Sequence, residues 1–330
     1  MKNLLFAFFT FCSLIAFSQE KVQFLDSETI EPIAFATVVF GDGLGGYTNE
    51  NGEFTFDKKQ SFSVSMLGYK TLYVSETEFK NTIKLQSEPI LIDEVIILNK
   101  KRKQKIVKQK PYWSNSTWLD SYTPQIGNEI AVLIPNEKNQ DMILSKITIP
   151  VATNPLRIFD AKSKNHFKER DEFPYTILRI QFYKNENNSP KELLYSDKIV
   201  VNVHHSEEKF KEIDLGNYGI DVPKNGLFVG IEFIGVTDEN QKYVYVPNFY
   251  EVERGGKKIK VARQLNINIP IDEKSKKPNS FIRYSDWNNN GDKMKWQVFT
   301  EEIFLKLNKD RLKHKGAANI GLGYELKVYE

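Results

Sequence analysis

Between Val22 and Ile97 apolar side chains recur at every second position, in short bursts. Phe54 and Phe56 alternate with Glu53, Thr55 and Asp57, and Phe62, Val64 and Met66 alternate with Ser61, Ser63 and Ser65. Successive side chains of a strand point to opposite faces, so this pattern buries one face and wets the other. Between the bursts stand Gly41-Asp42-Gly43 and Asn51-Gly52, turn chemistry that tolerates positive φ. The glycine-rich stretch from Gly41 to Gly46 precedes a strand rather than opening a helix, so it reads as a flexible loop tip and not a phosphate cradle. Helical signal is confined to Ser75-x-x-Glu78, a capping-box spacing that predicts a single turn. About seven short strands within residues 19–99 predict a small β-sandwich.

Farther along, the alternating stretches lengthen. Leu178, Ile180 and Phe182 alternate with Arg179, Gln181 and Tyr183, and Leu227, Val229, Ile231 and Phe233 form one stripe. Further stripes run through Ile303, Leu305 and Leu307, and through Leu322, Tyr324, Leu326 and Val328. No helix-period segment of comparable strength separates them, which disfavours a parallel sheet with crossover helices. Residues 113–330 therefore read as a second, larger antiparallel sandwich of jelly-roll type, and the whole chain as all-β. Between the two lies a basic run, Lys100, Lys101, Arg102, Lys103, Lys105, Lys108 and Lys110, closed by Pro111. Such a run repels itself and is expected to be a solvated linker or exposed helix over residues 100–112, with peripheral contact to anionic membrane surfaces as its functional version.

The first sandwich carries a resemblance. Asp26, Thr29, Glu31-Pro32-Ile33, Ala36-Thr37-Val38, Thr48-Asn49-Glu50-Asn51-Gly52-Glu53-Phe54 and Val64-Ser65-Met66-Leu67-Gly68-Tyr69 occur in order, followed by Ile92-Asp93-Glu94-Val95-Ile96-Ile97. This set resembles the carboxypeptidase-like regulatory domain, a transthyretin-like, Ig-like sandwich that often stands at the N-terminus of exported and outer-membrane proteins of Gram-negative bacteria. The resemblance implies an accessory module without catalytic residues of its own. It covers about a quarter of the chain.

Composition adds location. The 330 residues carry 46 Lys and Arg against 43 Asp and Glu, with 40% hydrophobic and 13% aromatic residues. That balance fits a folded chain and lacks the concentrated basic excess of a nucleic-acid binder. Lys2 precedes an apolar run over residues 4–17, and Ala16 and Ser18 stand at the −3 and −1 positions of a cleavage site. Residues 1–18 therefore read as a secretory signal peptide, too short to span a bilayer. Cleavage after Ser18 removes Cys12, the one cysteine, leaving no disulfide or thiol chemistry. A periplasmic or outer-membrane-associated product is expected.

Candidate chemistry is sparse. His204 and His205 are neighbours on a predicted strand and should face opposite ways, while His166 and His314 stand alone. The stretch Asp286-Trp287-Asn288-Asn289-Asn290-Gly291-Asp292 sets oxygen side chains at calcium-loop spacing, with Asp286, Asn288, Asn290 and Asp292 as candidate ligands. Gln297 stands where the bidentate Glu belongs, so a plain hairpin tip is the stronger reading. Glu232 sits inside an apolar strand, on the face of Phe228 and Ile234, where burial would raise its pKa; a strand-edge or paired carboxylate is the leading expectation and a hydrolase residue the sharper one. Core packing is the default expectation for tryptophan in such a domain; the functional version is a sugar-stacking platform of Trp287, exposed if it crowns a hairpin, with Trp296 and Tyr243. The expectation is a non-enzymatic envelope interaction or scaffolding protein without a cofactor, with an envelope protein or surface polysaccharide as partner. A carbohydrate-binding protein is the alternative.

Overall fold

The computed structural model describes residues 19–41, 43–88, 103–112, 121–153, 173–195, 199–205, 209–272, 277–287, 292–300 and 318–329. The signal peptide over 1–18, the motif over 92–97, the run Lys100-Lys101-Arg102, His166, the calcium-loop residues Asn288 and Asn290, the stripe Ile303, Leu305 and Leu307, and His314 lie outside these residues.

Alternation in the first hundred residues becomes two facing sheets. Glu53–Phe56, Glu20–Asp26 and Thr82–Leu85 form one, in that order, and Leu44–Tyr47, Thr37–Phe40, Phe62–Ser65 and Leu72–Val74 form the other. The inward set Val22, Phe24, Phe54, Phe56, Phe62 and Val64 packs between them as one core. Glu76–Glu78 is the single 3-10 turn that the capping-box spacing predicts: the Ser75 hydroxyl donates to the Glu78 carboxylate at 2.6 Å.

The second unit is a larger antiparallel sandwich. One layer is an eight-stranded sheet whose path runs Ser189–Leu193, Tyr175–Glu186, Leu227–Thr237, Glu129–Ile134, Ser280–Arg283 and Gln297–Val298. The other layer is built around Asp141–Pro150, Gly323–Tyr329 and Ile267–Asp272. Leu178, Ile180, Phe182, Leu227, Val229, Ile231 and Phe233 pack with Leu144, Ile147, Ile149 and Ile269 in one continuous core. Phe233 pairs with Leu178 but Gly235 with Ile177, leaving Ile234 as an extra residue. This irregularity sends Ile234 into the main core, instead of the Phe228 face that strict alternation assigned it.

Two expectations about connections are corrected. Gln104–Gln109 is not linker or helix but an edge strand, paired in register with the C-terminal strand from Gln104 opposite Tyr329 to Gln109 opposite Tyr324. The β-branched pair Ile106-Val107 suits a strand, and Lys108 finds Glu325 on the neighbour at 2.7 Å, which offsets the self-repulsion of the run. His204 and His205 do not face apart: their rings stack 5.0 Å centroid to centroid. The strand ends at His204, so alternation no longer governs His205, whose Nδ1 lies 2.7 Å from the Pro174 carbonyl. Among the described residues no helix is long and apolar enough to cross a membrane.

Candidate functional site

The outer face of the eight-stranded sheet carries a row of charge. Pairing sets Arg179 opposite Glu232, Glu232 opposite Glu129, and Glu129 opposite Arg283, on four adjacent strands. Directly opposed residues of neighbouring strands share a face, so one register produces the sequence plus, minus, minus, plus. The next row is deliberately small: Gly230 faces Gln181 on one side and Ala131 on the other. A Cβ at Gly230 would lie 2.5 Å from Glu129 Oε1 and 2.6 Å from the Tyr183 ring. That gap lets the Tyr183 hydroxyl cross a strand and donate to Glu129 Oε1 at 2.6 Å.

A third cation comes from outside the row. The Ser285–Asp286 and Asp292–Lys293 ladder swings Lys293 over the face, and its Nζ lies 2.7 Å from Glu129 Oε2 and 2.8 Å from Glu232 Oε1. Arg283 donates from Nε and Nη2 to Glu129 Oε2 at 3.0 and 2.7 Å while its guanidinium stacks over Trp296, 4.2 Å from the ring centroid. Arg179 Nη1 sits 3.4 Å from Glu232 Oε2. Glu129 and Glu232 are essentially inaccessible to solvent. Burial pushes both carboxyls upward, but the Lys293 ammonium and a guanidinium each (Arg179 for Glu232, Arg283 for Glu129) more than reverse it. Glu232 falls to about 2, and Glu129 is likewise lowered. The raised value expected for Glu232 from its apolar surroundings is thus corrected: an apolar strand says nothing of the cations that neighbouring strands bring. Burial and the adjacent Glu129 hold the Tyr183 phenol well above its ordinary value, so it stays a neutral donor.

The small sandwich closes one end of this row. Tyr47 donates its hydroxyl to Glu232 Oε1 at 3.1 Å, and Arg179 Nη2 reaches back to the Phe35 carbonyl at 2.6 Å. The backbone N–H of Tyr47 donates to the Tyr243 hydroxyl at 3.1 Å, that of Gly45 to Asn248 Oδ1 at 3.3 Å, and Asn248 Nδ2 to the Gly43 carbonyl at 3.2 Å. The glycine-rich stretch is therefore no loop tip. Leu44–Tyr47 is a strand, and bare backbone there admits the other unit: a Cβ on Gly45 would lie 2.5 Å from the Trp287 ring, and one on Gly46 would lie 2.7 Å from Tyr245.

The three aromatics proposed for a sugar platform separate. Trp287 is 6% exposed, wedged edge-on to Tyr47 with ring centroids 6.0 Å apart, so it is no exposed hairpin crown. Burying a large apolar ring between the two units outweighs the local tendency of a hairpin end to face water. Tyr243 packs edge-on to Phe35 at the same junction, and Trp296 lies across the sheet beside Tyr183. The strands flanking Trp287 form the ladder expected of a hairpin, with Asp286 opposite Asp292; the intervening calcium-loop positions fall outside the described residues. Among the described residues no cluster of three or more metal-ligating side chains occurs. Glu232 was legible in the sequence as a lone acid in an apolar run. Glu129 carries the same signal, opening Glu-Ile-Ala-Val-Leu-Ile, and is absent from the expected site residues; Arg283 and Lys293 carry none.

The row borders a cleft of about 370 Å³ between the units, lined on one side by Thr37, Ser65 and Met66 and on the other by Arg179, Glu232, Arg283 and Lys293. The molecule is thus an all-β protein in which a small sandwich docks on the charged outer face of a larger one. Residues 23–97 match the family model of the CarboxypepD_reg-like domain, so the N-terminal sandwich is a carboxypeptidase-like regulatory domain, a non-catalytic type. No curated protein matches the chain. No solved structure matches it either.

Proposed function

We propose that the chain is an exported, non-enzymatic interaction or scaffolding protein of the cell envelope, in which the regulatory-like domain and the larger sandwich work as one joined body. The observation that carries the reading is the clamped acid pair. Glycosidic hydrolysis by two carboxyls requires one to hold a proton that it can deliver. Glu129 and Glu232 stand side by side, with Glu232 lining a cleft, yet both are held ionised by shared cations. They serve as structural counter-ions rather than as acid and base. The apolar run over residues 4–17 supports export, and the exposed basic edge strand Gln104–Gln109 offers a surface for anionic membrane or protein partners. Chemical crosslinking in cells followed by envelope fractionation tests this reading. Recovery of the chain with an envelope protein or surface polysaccharide is expected; a product always recovered alone and freely soluble overturns it. The reading invokes no cofactor; a calcium-dependent rise in melting temperature would favour the calcium-loop reading of Asp286, Asn288, Asn290 and Asp292, and no shift with calcium or chelator would remove it.

Carbohydrate binding keeps one observation in its favour, at a different place from the three aromatics. A second cleft of about 560 Å³ is lined by Phe40, Ser61, Ser63, Tyr73 and the edge of Trp287, and Tyr73 is 64% exposed. An exposed ring beside hydroxyls suits sugar stacking. A glycan array probed with wild type and Tyr73→Ala decides it: retention lost in the variant supports the reading, and no retained glycan with wild type removes it.

A further inference from the structure

The charge row does not balance. Among the described side chains, Arg179, Arg283 and Lys293 face only Glu129 and Glu232, all five being at most about one-fifth exposed. Two carboxylates cannot neutralise three cations, and an uncompensated charge removed from water is costly unless a counter-ion reaches it. The cleft between the units supplies the route. It is open to solvent beside Arg179, Arg283 and Lys293, and its rim adds a fourth cation, Lys191, which is exposed and has no ion pair among the described residues. Thr37, Ser65 and Gln181 bring hydroxyl and amide groups to the same walls.

We propose that this cleft binds a small hydroxylated molecule through a single anionic group, a carboxylate or a phosphate, seated against the cationic side of the row. The anion completes the charge balance, and the hydroxyl and amide walls contact the rest of the ligand. Because Thr37 and Ser65 come from the small sandwich and the cations from the large one, ligand binding also tightens the junction. The inference goes beyond the envelope reading and does not depend on it.

The test uses the full chain at an ionic strength held constant with chloride. Inorganic phosphate, galacturonate and neutral galactose are titrated while the melting temperature is followed. A saturable rise with phosphate or galacturonate, absent with galactose, is expected, and comparison of the two anions identifies which group is preferred. Lys191→Glu should weaken the response about three- to tenfold, as reversal of one rim charge does, without lowering the melting temperature of the unliganded protein. Lys138→Glu, an exposed charge reversal beyond the far end of the Glu129–Ile134 strand, should leave the response unchanged. No anion-specific rise, or equal responses from the two variants, overturns the proposal while leaving the co-recovery experiment untouched.

Discussion

Glu232 receives Arg179 from one neighbouring strand, Lys293 from a hairpin and Tyr47 from another domain. Removing its charge leaves buried Arg179 without an ion-pair partner among the described residues and Lys293 with Glu129 alone, so Glu232→Gln should cost about 3–5 kcal/mol, read as a lower urea midpoint with an unchanged m-value. The same residue sets an acid limit. Its folded carboxyl lies below the unfolded value, so its contribution is complete above about pH 4.5 and is lost as pH falls toward 2. Stability profiles of wild type and Glu232→Gln should therefore converge in acid; parallel profiles down to pH 2 would show that the pair is not ionised as described. Gly230 has a purely steric role beside it. Gly230→Ala puts a methyl group against Glu129 and Tyr183 and should destabilise by about 1–3 kcal/mol in thermal denaturation.

At the scale of elements, period-two alternation was legible and correct wherever a described strand is regular. It separated Leu178, Ile180 and Phe182 from Arg179, Gln181 and Tyr183, and that division is the division between core and charge row. It failed at an extra residue, Ile234, and past a strand end, at His205, because both break the rule that successive side chains change face. It could not find the edge strand Gln104–Gln109 either, since a strand exposed on both sides shows no apolar stripe. This edge contributes little core. Ile106→Thr is expected to change stability by less than about 0.5 kcal/mol, and a larger loss on chemical unfolding would mean that its side chain is covered.

Across the whole molecule, the junction turns two sandwiches into one body. Trp287 is its apolar wedge and Tyr47 its polar pin, the two rings meeting edge to face. Trp287→Ala should cost about 3–5 kcal/mol and expose the region between the domains to limited proteolysis, an outcome that a sugar-platform role would not produce. Tyr47→Phe leaves the packing but deletes a donor to a buried carboxylate, for about 1–3 kcal/mol, and should accelerate the same cleavage to a smaller degree. Unchanged proteolysis in both variants would mean that the domains do not depend on this contact for docking.

Alternation, turn residues and motif order are local properties, and from them the sequence by itself determined the strand content, the two sandwiches, the regulatory-like domain and the suspicious isolation of Glu232. Tertiary structure alone decided which strands became neighbours and in what register. Residues 129, 179, 232, 283 and 293 are scattered over 165 positions, and nothing in their local surroundings announces that they meet. A shift of one residue in any of those pairings would turn its charge to the opposite face of the sheet, so the cluster exists only as a consequence of long-range pairing.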